Sequence, residues 1–123
     1  MPYITDRKRV TGYGAAHSGT QHFWTMTVTS VALLILTPFF LAIVGPLLGA
    51  SHAEVVESLG RPIPATVVAA YLVVGMHHFR LGVTVVIEDY THGLARKGWV
   101  IAMTIVSYAI AAAGVVALAQ LAL

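Results

Sequence analysis

The segment MTVTSVALLILTPFFLAIVGPLL, residues 26–48, contains no charged side chain and decides the fold class. A helix of about 20 residues crosses a hydrocarbon core of about 30 Å, so this segment is long enough to span a membrane. Phe23 and Trp24 precede it, in the position where aromatic side chains mark the membrane–water interface. The sequence therefore predicts a first transmembrane helix, with Pro38 and Pro46 as candidate kink positions.

Two further apolar segments follow, at residues 63–87 and 99–121. Both have the length of a membrane-spanning helix, and a tryptophan opens the second of them. The polar residues 49–62 predict a short connection between the first two spans. We predict an all-α membrane protein with three transmembrane helices, in which residues 1–23 form an extended cytoplasmic arm and residues 24–123 the membrane anchor domain.

The composition supports a membrane location. Hydrophobic residues make up 58% of the chain and charged residues only 10%, and the mean hydropathy is +0.83. So few charged side chains cannot form the polar surface that a soluble domain of this size needs. The chain has no cysteine, which excludes a disulfide framework or an iron–sulfur cluster built from this chain alone. Its basic residues lie at segment ends, where they set membrane topology, so we predict no nucleic-acid binding.

The distribution of basic residues predicts the orientation. All but one of the Lys and Arg residues outside the spans precede the first span or follow the second, namely Arg7, Lys8, Arg9, Arg96 and Lys97, with Arg61 as the exception. The positive-inside rule therefore places the N-terminus and the loop at residues 88–98 in the cytoplasm. No Arg-rich and Ser-rich transit peptide precedes the spans, which favours the bacterial inner membrane.

Ionisable side chains inside the second span are the main functional signal, because a charge within a membrane is costly unless it is partnered. Gly75, His78 and Gly82 fall on one stripe of the helix, at about 100° per residue. A histidine between two glycines leaves room for a flat macrocycle, so His78 and Gly82 are candidate haem-binding residues and His78 is the candidate iron ligand. The alternative is close helix packing through small residues, with a histidine that only hydrogen-bonds a neighbouring helix.

Two other side chains of this span have different candidate roles. His77 points about 100° away from His78, so both cannot ligate one iron from the same helix. The second axial ligand should therefore come from a partner polypeptide, in a heterodimeric transmembrane bundle. The long side chain of Arg80 could extend toward the interface or pair with an anion such as a haem propionate.

The end of the span, VVIEDYTH at residues 85–92, combines a phenol, carboxylates and an imidazole. Such groups can donate hydrogen bonds to quinone carbonyls and deliver protons, so Tyr90 and Asp89 are candidate quinone-binding residues. Asp89 lies eleven residues after His78, on nearly the same face and about 16 Å along the axis. The alternative is that Tyr90 anchors the helix at the interface and the carboxylates are simply solvated.

The segment GMHHFRLGVTVVIEDYTHG, residues 75–93, closely resembles the haem and quinone segment of the hydrophobic membrane anchor subunit of succinate dehydrogenase, alphaproteobacterial type. That family has a histidine, a glycine four residues later and a tyrosine twelve residues after the histidine, which match His78, Gly82 and Tyr90. The stretch SGTQHFW, residues 18–24, is similar to the family's entrance into its first helix. Many relatives have an aromatic residue where this chain has Arg80.

The resemblance implies a non-catalytic subunit of succinate:quinone oxidoreductase, complex II of the respiratory chain. The expected partners are a cytochrome b membrane subunit, an iron–sulfur subunit and a flavoprotein subunit that carries FAD. It further implies that His78 is one axial ligand of a shared haem b, and that Tyr90, supported by Asp89, binds ubiquinone or menaquinone. A different class of function, a small ion or proton transporter subunit lined by His77, His78 and Arg80, is the alternative.

Overall fold

The computed structural model describes residues 5–11 and 19–123. Within these ranges the chain is all helical, and no strand occurs. The helices are α1 (Asp6–Thr11), α2 (Gly19–Val44), α3 (His52–Leu59), α4 (Pro62–Tyr90) and α5 (Gly93–Ala122), and a short 3₁₀ helix at Gly45–Leu47 follows α2.

Three of these helices are long and apolar enough to cross a membrane: α2 with its 3₁₀ extension, α4 and α5. Large apolar side chains such as Leu34 and Ile105 are exposed on the outside of the bundle, where lipid replaces water. The predicted all-α fold with three membrane spans is confirmed.

The beginning of the chain differs from the predicted extended arm. Asp6–Thr11 is helical, and α2 begins at Gly19, five residues before the predicted domain boundary. The helix continues through the polar residues Gln21 and His22, because its backbone hydrogen bonds do not depend on whether a side chain faces lipid or the interface. Residues 1–4 and 12–18 of the predicted arm lie outside the described residues. Pro38 lies inside α2, and Pro46 falls in the 3₁₀ turn that ends it.

The predicted connection contains a two-turn helix, α3. Its N-cap is Ser51, and together with Glu54 this residue forms a reciprocal capping box. Ser51 donates from both its backbone N–H and its hydroxyl to the Glu54 carboxylate, each at 2.7 Å. These hydrogen bonds lower the pKa of Glu54 below its ordinary value, since they favour the charged form. Gly49 has a φ of +85°, a left-handed conformation that suits the turn before the cap.

α4 is the central helix and packs against both α2 and α5. Small residues on α5 allow the close approach of α4: Ser107 is fully buried, Ala111 is buried, and Leu72 of α4 fills the space beside Gly114. The end of α3 also meets the end of α5, because a Cβ atom on Gly60 would lie 3.0 Å from the Leu121 carbonyl oxygen.

Candidate functional site

The predicted ligand, His78, makes a hydrogen bond across the contact between α4 and α2. Its Nδ1 atom lies 2.8 Å from the hydroxyl oxygen of Thr29, the most buried residue of α2, at 9% exposure. This contact between two residues far apart in the sequence holds the imidazole in one orientation. No second hydrogen bond reaches the ring: among the described residues, nothing pairs with Nε2.

The two glycines that flank His78 also face α2. A Cβ atom on Gly75 would lie 3.9 Å from Leu33 Cδ2, and one on Gly82 would lie 4.0 Å from Met26 Cε. The stripe predicted on α4 is therefore the surface that receives α2, so the glycines contribute to close helix packing within this chain. This packing brings Thr29 within hydrogen-bonding distance of the imidazole, and each glycine lies about one helical turn from His78 along α4.

The hydrogen bonds of Thr29 indicate which ring nitrogen of His78 carries the proton. Its hydroxyl oxygen lies 2.9 Å from the carbonyl oxygens of both Thr25 and Met26. A hydroxyl has one proton, and a carbonyl can only accept, so a Thr29 that donates to its own helix accepts from His78 Nδ1–H. That tautomer leaves Nε2 with its lone pair, which is the form of imidazole that binds a metal ion.

A second histidine lies on the same face of α2. His22 is seven residues before Thr29, so it returns to nearly the same direction two turns nearer the N-terminus. Its Nε2 atom is buried and has no hydrogen-bond partner within the described part of the chain. An imidazole nitrogen without a hydrogen-bond partner therefore lies on the α2 face that meets α4, in addition to Nε2 of His78 on α4.

His77 and Arg80 lie on a different side of α4, against α5. The Tyr108 hydroxyl is 3.3 Å from His77 Nδ1, and the Arg80 guanidinium carbon lies 5.8 Å from the centre of the Tyr108 ring. The Arg80 Nε atom is buried and has no acceptor in the ranges that the structure describes. We call His77, Arg80 and Tyr108 the α4–α5 polar cluster. The structure thus separates Arg80 from His78, since the two face different neighbouring helices.

The predicted quinone residues lie at the end of α4. Tyr90 is the last residue of that helix and is 82% exposed, and Asp89 and Glu88 are also exposed. A cavity of about 260 Å³ lies beside them, between the end of α4 and the start of α5, and Glu88, Arg96 and Lys97 supply its charged lining. Tyr90 and Asp89 make no hydrogen bond within the described chain, so both remain available to a ligand or a partner.

Sequence reasoning missed two residues that the structure brings to the functional side chains. Thr29 is one of several hydroxyl residues at the start of the first span, and only the packing of α2 on α4 singles it out. Tyr108 had a signal of its own, because it is the one phenol inside an uncharged third span. No group of three or more His, Asp or Glu residues that could hold a metal ion occurs among the described residues.

Comparisons with known proteins agree with the predicted resemblance. The family model described as the succinate dehydrogenase/fumarate reductase transmembrane subunit matches residues 1–118. The succinate dehydrogenase hydrophobic membrane anchor subunit of Paracoccus denitrificans is 46% identical over 123 residues, which is 100% of this chain and 95% of the relative. No solved structure matches. These comparisons confirm the prediction of a membrane anchor subunit that is non-catalytic by itself. The chain belongs to the family of succinate dehydrogenase/fumarate reductase transmembrane subunits.

Proposed function

We propose that this membrane anchor subunit supplies His78 as one axial ligand of a haem b that it shares with a cytochrome b membrane subunit. The observation that carries the proposal is the 2.8 Å contact between Thr29 Oγ1 and His78 Nδ1. Metal-ligating histidines nearly always donate their other ring N–H to a fixed acceptor, which sets the tautomer and the ring orientation. Thr29 supplies that acceptor, and no described residue competes for Nε2.

The residues around His78 fit this role. α2 fixes the imidazole from one side, and Gly75 and Gly82 allow this close approach of α2. The second axial ligand is assigned to the partner, because the other unpaired imidazole nitrogen, His22 Nε2, lies on α2 two helical turns from the Thr29 that contacts His78. Haem b, when bound, supplies a one-electron carrier within the membrane. Gly82 faces Met26 of α2, so its predicted place beside the haem carries no part of this proposal. Arg80 faces α5, so its predicted propionate contact carries no part of this proposal.

The proposed quinone site lies at the end of α4. The exposed phenol of Tyr90 can donate a hydrogen bond to a quinone carbonyl, and Asp89 beside it can pass a proton from water. Asp89 lies about 16 Å along the helix axis from His78, so one rigid helix positions both sites. Ubiquinone and menaquinone both present the carbonyl oxygens that these side chains would bind.

The remaining partners follow from the family and from the charge distribution. The family implies an iron–sulfur subunit and a flavoprotein subunit that hold the iron–sulfur clusters and FAD. We expect them on the cytoplasmic face of a bacterial inner membrane, where the end of α4, Arg96 and Lys97 also lie. The acidic residues Glu54 and Glu57 of α3 then lie on the opposite side, as the positive-inside rule permits. The transporter alternative receives no support from the family assignment.

The first experiment tests the haem ligand. The complex is purified through this chain as wild type and as His78→Ala, and a reduced-minus-oxidised spectrum is recorded with succinate as the reductant. A b-type band in wild type that is lost or shifted in His78→Ala is the expected result. His52→Ala is the matched control, because His52 is exposed at the start of α3 and should leave the band unchanged. An unchanged band in His78→Ala would contradict the assignment.

The second experiment tests the quinone site separately. Tyr90→Phe removes the donor but keeps the ring, so we expect quinone reduction to fall by a factor of about ten to a hundred while the haem band is retained. Tyr71→Phe is the control, since Tyr71 stacks on Phe40 at 4.1 Å, far along α4 from Tyr90. Equal quinone reduction in both variants would exclude Tyr90 as a donor.

A further inference from the structure

The α4–α5 polar cluster contains a cation that this chain does not neutralise. Arg80 Nε is buried without an acceptor, and the guanidinium instead lies over the ring of Tyr108. His77 Nδ1 is 3.3 Å from the Tyr108 hydroxyl and so helps to hold that ring in place. A ring face attracts a cation, but it accepts no conventional N–H hydrogen bond and adds no negative charge. The cluster is therefore incomplete in this chain.

The depth of Arg80 separates its guanidinium from partners at the membrane surface. Tyr108 lies near the middle of α5, which runs from Gly93 to Ala122, so the guanidinium lies close to the middle of the span. The side chain thus does not extend toward the cytoplasmic end of α4, which is about 15 Å away at Tyr90. Phosphate headgroups lie at the membrane surface, about half of the 30 Å hydrocarbon core from this position. A lipid phosphate would reach the guanidinium only if the side chain left Tyr108 or the bilayer thinned locally.

No other part of this chain can supply the missing charge. Its five acidic residues all lie outside the middle of the spans, at Asp6, Glu54, Glu57, Glu88 and Asp89. The nearest along α4, Glu88, is eight residues from Arg80, about 12 Å along the axis. A second copy of the chain has its carboxylates at the same depths, so a homo-oligomer packed side by side in the membrane would not help. The counter-charge must come from a different molecule.

We infer that the α4–α5 polar cluster is the docking site for an intramembrane Asp or Glu carboxylate on a helix of the partner membrane subunit. A carboxylate can accept from the guanidinium and from the Tyr108 hydroxyl together, and charge-assisted pairs of this kind are the strong ones. Buried ionisable groups in membranes pair in this way with few alternatives, so the contact would also fix the orientation of the two subunits. This inference rests on the proposed partner subunit, but not on the haem ligand.

The positions of Arg80 and His78 separate this inference from a propionate contact. The two residues are two positions apart on α4, which turns them about 160° away from each other. His78 meets Thr29 on the α2 side, and Arg80 meets Tyr108 on the α5 side. A group bound at His78 would therefore have to pass around α4 to reach Arg80, whereas a helix packed beside α4 and α5 reaches it directly.

A chemical cross-link tests the inference in the intact complex. Arg80→Lys places a primary amine in the cluster, and a membrane-soluble carbodiimide activates carboxylates in the bilayer. The amine then attacks the activated carboxyl carbon, an amide forms, and the carbodiimide leaves as a urea. We expect mass spectrometry to find an amide between position 80 and an acidic residue of the partner subunit. Wild type, whose lysines are only Lys8 and Lys97, should lack this product, as should Val73→Lys, two turns away on the same face.

Each other outcome overturns the inference. Haem joined covalently to position 80 would identify a propionate as the counter-charge. A link within this chain or to a second copy would identify an internal or homomeric partner, and no link in a complex that retains its partner would mean that no carboxylate is within reach. If wild type retains no partner membrane subunit, the proposed function itself fails. As a second readout, Arg80→Leu should speed loss of the partner in detergent about thirtyfold, with Arg80→Lys closer to wild type.

Discussion

Removal of the hydrogen bond between Thr29 and His78 is the most direct test of the proposal that His78 is a haem ligand. Thr29→Val keeps the shape of the side chain and removes its hydroxyl, so the Nδ1 atom of His78 loses its partner at a buried contact. Thr27→Val is a close control, because the Thr27 hydroxyl bonds only the Phe23 carbonyl of its own helix. Both variants change a threonine of α2 to valine, but only one touches the imidazole.

The expected size of the effect follows from the contact. A buried polar group that loses its hydrogen-bond partner costs about 1–3 kcal/mol. The loss of an outer-shell partner of a metal ligand weakens metal binding by about 10- to 100-fold, which is a similar free energy. We therefore expect Thr29→Val to weaken haem retention by a factor of about ten to a hundred, and Thr27→Val by less than about threefold.

Haem retention can be measured as the rate at which the purified complex transfers its haem to an excess of an apo haem-binding protein. Electron paramagnetic resonance of the oxidised complex gives a second readout, because its g values depend on the orientation of the axial imidazoles. Thr29→Ser, which keeps the hydroxyl, should restore both properties. Equal transfer rates and equal spectra for Thr29→Val and Thr27→Val would refute the argument that Thr29 prepares His78 for ligation.

Three predictions concern the fold outside the membrane core. Gly60→Ala should lower the free energy of unfolding by about 1–3 kcal/mol in denaturant titrations in detergent, because the new Cβ meets backbone carbonyl oxygens of α3 and α5. Gly98→Ala is the control: it has open space around it and should change this free energy by less than about 1 kcal/mol. Gly93→Ala should cost about 1–2 kcal/mol in the same assay, because its φ of +64° disfavours a side chain. Ser51→Ala should raise the pKa of Glu54 toward its ordinary value of 4.5, as an NMR titration of the carboxyl carbon would detect. Since the folded-state pKa is the lowered one, the capping contribution is fully present above pH 4.5 and is lost as the pH falls through the lowered pKa; an unchanged pKa in the variant would contradict this cause.

The spans could be predicted because the bilayer imposes a simple requirement on sequence. An uncharged segment of sufficient length must form a helix in lipid, where every backbone polar group needs an internal partner. The ends of the spans are harder to predict, since backbone hydrogen bonds continue past the last apolar residue. α2 therefore begins at Gly19 among polar residues, and α4 continues to Tyr90 past two carboxylates. The capping box of α3 could have been recognised from Ser51 and Glu54, which have the characteristic spacing.

The site was predictable only as far as one helix determines it. Helical geometry alone places Gly75, His78 and Gly82 on one stripe of α4 and turns Arg80 away from it. The neighbour that each stripe meets depends on how the three helices pack, and an apolar surface of this kind fits many partners. The contacts of His78 with Thr29 and of Arg80 with Tyr108 therefore required the structure. The roles of His78, Gly82, Arg80, Tyr90 and Asp89 toward haem and quinone stay predictions.

The two polar faces of α4 differ in how complete they are, and this difference has a consequence for assembly. The imidazole of His78 is held in place by Thr29 of the same chain before any partner arrives. The guanidinium of Arg80 has an aromatic contact but no acceptor, so its cost in lipid remains until another molecule supplies one. A chain with both features has its histidine in place but carries a cation that is unpaired in the membrane until a partner arrives. We expect the isolated subunit to be degraded in cells that lack its membrane partner, and Arg80→Leu to reduce that degradation while Thr29→Val does not.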